Sequence, residues 1–256
     1  MKNIRIKILA ILCLVLLLLK STWFNEIGFF LKEAYKNIGI TGAIAPISHT
    51  TADHILNKIL ETIKQNKLEK IKILEAGPGT GSLSQYIISN LEKHKVNFTI
   101  DLVEINKEFS KILDKKFKNN SKVKIYYQDI LQWHPKTKYN FIISTIPFNT
   151  KYFTADIVKN ILEKYHSLID LDGIIFWVEY AAFGKISTLF LNQEEKEIYL
   201  KKHMFIDEFK SKHQVSKDFI LFNLPPLYLY YAKLDSVFNK NLNKSKVNYE
   251  SRKYKK

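Results

Sequence analysis

One cysteine in 256 residues, Cys13, excludes a disulfide framework and a cysteine-rich metal site, and no metal ligand set is read elsewhere. A reducing compartment fits. Arginine is nearly as scarce: Arg5 and Arg252 are the only two, so a formal net charge of +15 is carried almost wholly by lysine. Such an excess favours phosphate-bearing partners, whether nucleic acid or anionic lipid. Sequence-specific nucleic-acid readers use the planar guanidinium for bidentate contacts that lysine makes poorly. The shortage of arginine therefore tilts the expected partner toward a lipid surface; a lysine- and asparagine-rich composition without functional content is the alternative. With 46% hydrophobic residues, the chain can fill the core of one α/β domain and has little left for a second. No internal repeat is present.

The only long hydrophobic run is the stretch from Ile8 to Leu19, flanked by Arg5, Lys7 and Lys20. As a helix its twelve residues span about 18 Å, short of a hydrocarbon core of about 30 Å unless the flanking cations snorkel. Lys20-Ser-Thr-Trp-Phe24 offers no small-residue cleavage site, so an uncleaved anchor over residues 1–22 is expected, with a cleaved signal peptide as the rival. Trp23, Phe24, Ile27, Phe30, Leu31, Tyr35 and Ile38 then recur at helical spacing with charged residues between them. They open an amphipathic helical extension over 23–66, whose second helix runs from about Thr51 to Gln65.

Hydrophobic runs and amphipathic stretches alternate beyond it. Strands are expected at Ile71–Glu75, Phe98–Glu104, Val123–Tyr127, Phe141–Ser144 and Ile174–Glu179. Helices are expected at Ser82–His94, Lys107–Lys118 and Thr154–Ile169. Alternation of this kind predicts an α/β fold, a Rossmann-like doubly wound, mostly parallel sheet with an N-terminal helical extension. The domain is expected to occupy 67–235, followed by a basic disordered tail over 236–256.

Within Ile71-Lys-Ile-Leu-Glu75-Ala-Gly77-Pro-Gly79-Thr-Gly81-Ser82, a strand, a glycine turn and a helix start follow one another directly. Glycines there permit torsions and a ligand approach that a Cβ would block. The spacing is G-x-G-x-G rather than the dinucleotide G-x-G-x-x-G, whose third glycine would fall at Ser82, so a nicotinamide cofactor is disfavoured. Glu75 ahead of the turn can meet an amino group. Glu104 lies 29 residues on, at the carboxyl edge of the next strand, where open α/β sheets bind ligands, and can accept two ribose hydroxyls. Asp101 on the same strand competes for that role, but its mid-strand position suits a surface or edge residue. Asp129, after the third strand, is placed to accept from an adenine amine or, alternatively, to cap a helix.

From about Ile71 to Glu179 the chain resembles class I S-adenosylmethionine-dependent methyltransferases. Two flanking segments are similar to those of bacterial phospholipid N-methyltransferases, which methylate phosphatidylethanolamine. They are Phe29 to Ile38 followed by Thr41-Gly-Ala-Ile-Ala-Pro46-Ile-Ser48, and Phe219-Ile-Leu-Phe-Asn223-Leu-Pro225-Pro226. Ser144-Thr-Ile146-Pro147 is similar to that family's Ser-Gly-Leu-Pro turn. The resemblance implies S-adenosylmethionine held by Glu75, Gly77, Gly79, Gly81, Glu104, Asp129 and Ser144, with the acceptor at Pro46, Ser48, Ile146 and Pro147. Glu179 and Tyr180, after the fifth strand at the expected carboxyl edge, are the candidate catalytic residues, Tyr180 matching a family tyrosine, on a membrane-associated domain expected to face the cytoplasm, where the cofactor is. His49 and His134 are further candidates for the base that an ethanolamine ammonium needs before it can attack. The family pattern is not fully kept: Ile47 replaces a serine, Thr145 a glycine and His49 an arginine.

The turn Thr145-Ile-Pro-Phe148 also resembles the Asn-Leu-Pro-Tyr of ribosomal RNA adenine dimethyltransferases, with threonine where the asparagine holds a base amine. A hydroxyl must share one oxygen as donor and acceptor, unlike a carboxamide. Membrane phospholipid is accordingly the expected partner, ribosomal RNA or another methyl acceptor the alternative, and a non-catalytic membrane-bound protein keeping the fold the third reading. Oligomeric state is not read from the sequence.

Overall fold

The computed structural model describes residues 47–146, 148, 153–181, 193–223 and 226–233. The apolar run, the aromatic segment, Pro46, Pro147, Pro225 and the basic tail lie outside the described residues. No helix among the described residues is long and apolar enough to cross a membrane.

In chain order the elements are α1 (His49–Asn66), β1 (Ile71–Ala76), α2 (Ser82–Lys93), β2 (Phe98–Glu104), α3 (Lys107–Phe117), β3 (Val123–Tyr127) and a 3-10 turn (Ile130–Gln132). There follow β4 (Tyr139–Ser144), α4 (Ala155–Leu168), β5 (Ile169–Tyr180), α5 (Gln193–Lys212), β6 (Gln214–Ile220) and β7 (Leu227–Lys233). The strands form one sheet in the order β3-β2-β1-β4-β5-β7-β6, in which β7 alone runs antiparallel to both its neighbours. The expected doubly wound, mostly parallel sheet is therefore the fold observed.

Burial explains why these segments become strands. The near-continuous apolar runs of β1, β2 and β4 are covered on both faces, as parallel strands require. One face packs against α1, α2 and α3 through Ile73, Ile100 and Phe141, and the other against α4 and α5 through Leu74, Ile142 and Trp177. Chain order reverses between β1 and β4, and the crevice at the carboxyl ends of those two strands is where such sheets bind ligands.

Three departures from the sequence reading have physical causes. β5 begins at Ile169, paired with Tyr139, because a register shift accommodates the exposed Asp170–Asp172 that interrupt its apolar run. α5 escapes the apolar count because its inward-facing stripe, Tyr199, Lys202, His203, Ile206 and Lys210, is mostly polar. α1, assigned to the helical extension, puts Ala52, Ile55, Leu56 and Ile59 into the same core as β1 and β2.

The start of α1 is fixed by a contact between distant segments. Ser48 caps the helix by accepting from Thr51 N (3.2 Å), while Asn223 Oδ1 accepts from Ser48 N (2.9 Å) and from Thr51 Oγ1 (3.2 Å). Asn223 is buried in the turn between β6 and β7. Asn223→Ala leaves both donors without this acceptor, so urea unfolding is expected to show a loss of about 1–3 kcal/mol. A midpoint unchanged from that of the natural chain would show that the contact adds nothing to stability.

Candidate active site

The site is assembled where β1, β2 and β4 end. Gly77, Gly79 and Gly81 all have positive φ, a region that L side chains rarely occupy. A Cβ at Gly77 would lie 3.1 Å from Ile146 Cγ1, and one at Gly81 would lie 2.6 Å from Leu113 Cδ2, so the turn is wedged between the β4 turn and α3. Gly77 N donates to the Val103 carbonyl (2.9 Å) and Gly81 N to that of Pro78 (3.0 Å). Glycine is thus required by both torsion and space.

Two acids frame this turn. Glu75 is 0% exposed; Ser84 Oγ donates to its Oε2 (2.6 Å), while Oε1 is buried with no hydrogen-bond partner among the described residues. Burial, with repulsion from Glu104 added and the Ser84 bond opposing, pushes its carboxyl up to about 7. Glu104 is also buried, and burial likewise raises its pKa against the bonds it accepts from Gly79 N (2.9 Å) and Asn106 N (2.8 Å). The unpartnered Glu75 oxygen and these two desolvated carboxylates fit a ligand bearing an ammonium and hydroxyl donors. S-adenosylmethionine carries both, so Glu75 would hold its amino group and Glu104 its ribose.

Asp129 stands half-buried at the end of β3 and caps the 3-10 turn, its Oδ1 accepting from Leu131 N (2.9 Å). Ser144, expected to touch the cofactor, is instead buried beneath the site, where its Oγ accepts from the Tyr165 hydroxyl (2.8 Å). Asp101 is not at the surface: it is buried and accepts from the Tyr139 hydroxyl (2.6 Å), with Lys72 Nζ 3.4 Å away.

Thr145 ties the acceptor turn to the cofactor turn. Its N donates to the Ala76 carbonyl (3.1 Å), and its Oγ1 donates to the Gly77 carbonyl (2.6 Å). Ile146 follows, half-buried against Gly77, and Phe148 N closes the turn onto the Ile146 carbonyl (3.1 Å). Ser48 is held across the sheet edge by Asn223. Pro46 and Pro147 lie outside the described residues.

The two residues proposed as catalytic are placed differently from a free base. Glu179 Oε1 accepts from Trp177 Nε1 (3.1 Å) and pairs with Lys210 Nζ (3.2 Å) on α5. Its carboxylate fastens that helix to β5. Tyr180 lies on the opposite face, within the core cluster of α1 and α2. The His49 ring lies tilted against that of Tyr86, with centroids 5.1 Å apart, and His134 Nδ1 sits 3.3 Å from Lys164 Nζ.

The sequence reading missed Ser84 and Ile105. Ser84 was detectable, because it occupies an inward position in α2 beside Leu83, Ile87, Ile88 and Leu91, where a hydroxyl needs a buried partner. Ile105 is 56% exposed directly after Glu104, an apolar surface on which a flat ring can lie.

The model of the ribosomal RNA adenine dimethylase family matches residues 48–207 of this chain. Ribosomal RNA small subunit methyltransferase A of Fusobacterium nucleatum is 32% identical over 121 residues, 46% of this chain and 41% of that protein. The chain thus spans less than half the length of that relative. Malonyl-[acyl-carrier protein] O-methyltransferase 1 of Ilyobacter polytropus is 25% identical over 160 residues, 60% of this chain and 55% of that one. Among solved structures, an S-adenosylmethionine-dependent methyltransferase from Clostridium acetobutylicum shares the fold with a TM-score of 0.52 at 14% identity, covering 83% of this chain and 99% of that one.

Glu104→Ala is expected to weaken S-adenosylmethionine binding by about 1–3 kcal/mol through lost hydrogen bonds, while Glu108→Ala on the exposed face of α3 leaves it unchanged. Calorimetric titration that finds equal affinity in both variants would remove Glu104 from the site. With its sheet order, its glycine turn and its framing acids, the chain belongs to the ribosomal RNA adenine dimethylase family of S-adenosylmethionine-dependent methyltransferases.

Proposed function

We propose that this chain transfers a methyl group from S-adenosylmethionine to an acceptor amine, and that the amine is the exocyclic nitrogen of adenine in ribosomal RNA. The observation that carries the reading is the Thr145 lock: the turn that follows β4 is bonded directly to the glycine turn, at 2.6 Å. An acceptor held by Ile146 would therefore be registered against the cofactor by main-chain contacts. S-adenosylmethionine, when bound, supplies an electrophilic methyl on sulfur, and the chain's contribution is to orient the nitrogen for in-line attack. Because the Thr145 hydroxyl donates to Gly77, its own lone pairs are left to accept an amine N–H. An adenine amine is uncharged at neutral pH and needs no base before it attacks; the methyl–sulfur bond breaks as the methyl–nitrogen bond forms, and the N–H proton is then lost to water. That suits a site in which Glu179 is held in an ion pair. The family match and the 32% identity to a ribosomal RNA methyltransferase support the same acceptor.

A second reading is N-methylation of a phospholipid ethanolamine head group. One observation favours it: Thr145 offers a single hydroxyl oxygen where adenine dimethyltransferases have a carboxamide. The apolar run from Ile8 to Leu19 would then serve as a membrane anchor for a domain on the cytoplasmic side.

The test offers the purified full chain labelled S-adenosylmethionine with protein-free ribosomal RNA and, separately, phosphatidylethanolamine vesicles containing anionic lipid. Label in methylated adenine is expected, with lipid incorporation at least roughly tenfold lower, a gap of about 1.4 kcal/mol in transition-state stabilisation. Label in the lipid alone would overturn the adenine assignment in favour of the head group.

A further inference from the structure

Lys202 is the only lysine among the buried residues described, 3% exposed on the inward side of α5. Its Nζ donates to the main-chain carbonyl of Phe148 (3.3 Å), the residue that closes the turn after β4. A buried ammonium is costly, and burial lowers its pKa to about 8, so a short apolar side chain would be the cheaper occupant of that position. Packing reinforces the same attachment: the Phe148 ring, itself buried, shares a core cluster with Ile206, one turn further along α5. α5 is in turn fixed to β5 by the pair of Lys210 with Glu179. One helix thus grips the sheet at one point and the acceptor turn at another.

We propose that Lys202 is a positioning residue for methyl transfer, holding the Thr145–Phe148 turn against the glycine turn so that the acceptor nitrogen meets the cofactor in line. The turn is secured at its first residue by Thr145 to Gly77 and at its last by Lys202 to Phe148. The first bond sets distance from the cofactor turn; the second sets the tilt of the turn relative to β4. Near-attack geometry tolerates little misplacement, so loosening one end should affect turnover more than cofactor binding. The inference rests on the proposed role of that turn in holding the acceptor.

The test compares Lys202→Met, which removes the donor, with Lys202→Arg and Lys202→Gln, which keep one, all in the full chain. Amide hydrogen exchange is read over residues 145–148 and over β1 and β2 as reference. Lys202→Met is expected to speed exchange in the turn roughly tenfold with β1 and β2 unchanged, because a locally tethered segment opens without global unfolding. S-adenosylmethionine affinity should stay within about twofold, kcat with the acceptor found above should fall roughly tenfold with KM little changed, and Arg or Gln should restore much of both signals. Should Lys202→Met not fold, Lys202→Ala, which also removes the donor, takes its place, and a turn as protected in it as in the natural chain would refute a role for Lys202. Unchanged exchange over 145–148 in Lys202→Met, or an increase spread evenly over the sheet, overturns the proposal. If neither acceptor is methylated by the natural chain, the acceptor assignment fails while the exchange comparison still decides the tether.

Discussion

A carboxylate sealed into an apolar interior is tolerated only when something answers its charge, and Glu75 is the group on which this structure turns. It sits at the end of the central strand with one oxygen bonded to Ser84 and the other without a partner among the described residues, and a second buried acid, Glu104, stands on the neighbouring strand. Stability alone would replace both with apolar residues. Their retention at the point where strand order reverses makes sense if the missing partner is a cationic ligand with hydroxyls. Burial raises both pKa values for the same reason, so below about pH 7 Glu75 favours a proton that a bound ammonium would displace.

The architecture around those acids serves to bring a second molecule to the same place. Left-handed glycines let the chain leave β1 so close to Ile146 and Leu113 that a Cβ at Gly77 or Gly81 would crowd them. Thr145 then bonds the β4 turn to that glycine turn, so cofactor and acceptor surfaces share a common main-chain framework. α5 reaches the same turn from the other face, and Asn223 joins the start of α1 to the β6–β7 turn at the same sheet edge. The residues that mark the site in sequence are thus held by partners far from them along the chain.

Much of this was legible beforehand, for identifiable reasons. Strand ends, the G-x-G-x-G spacing and the two acids follow from local chemistry and period, and they predicted the sheet, the cofactor class and the positions of Glu75 and Glu104. Roles that depend on what lies opposite were not legible. Ser144 looks like a site residue but is turned toward Tyr165; Glu179 looks like a base but is neutralised by Lys210, on a helix whose polar inward stripe hides it from an apolar count. The acceptor proved the least accessible of all, because one turn, Thr145 to Phe148, is similar to those of two enzyme families with different substrates.

The most direct measurement of the central claim is the titration of the Glu75 carboxyl by carbon-13 NMR, assigned by its loss in Glu75→Gln, in the free chain and with saturating S-adenosylhomocysteine. That ligand keeps the amino group of the cofactor. In the free chain the Glu75 resonance should titrate near 7, and in the complex it should remain ionised at about pH 6. A carboxyl that titrates with the ordinary ones near 4.5, or whose titration the ligand leaves unmoved, would contradict the account.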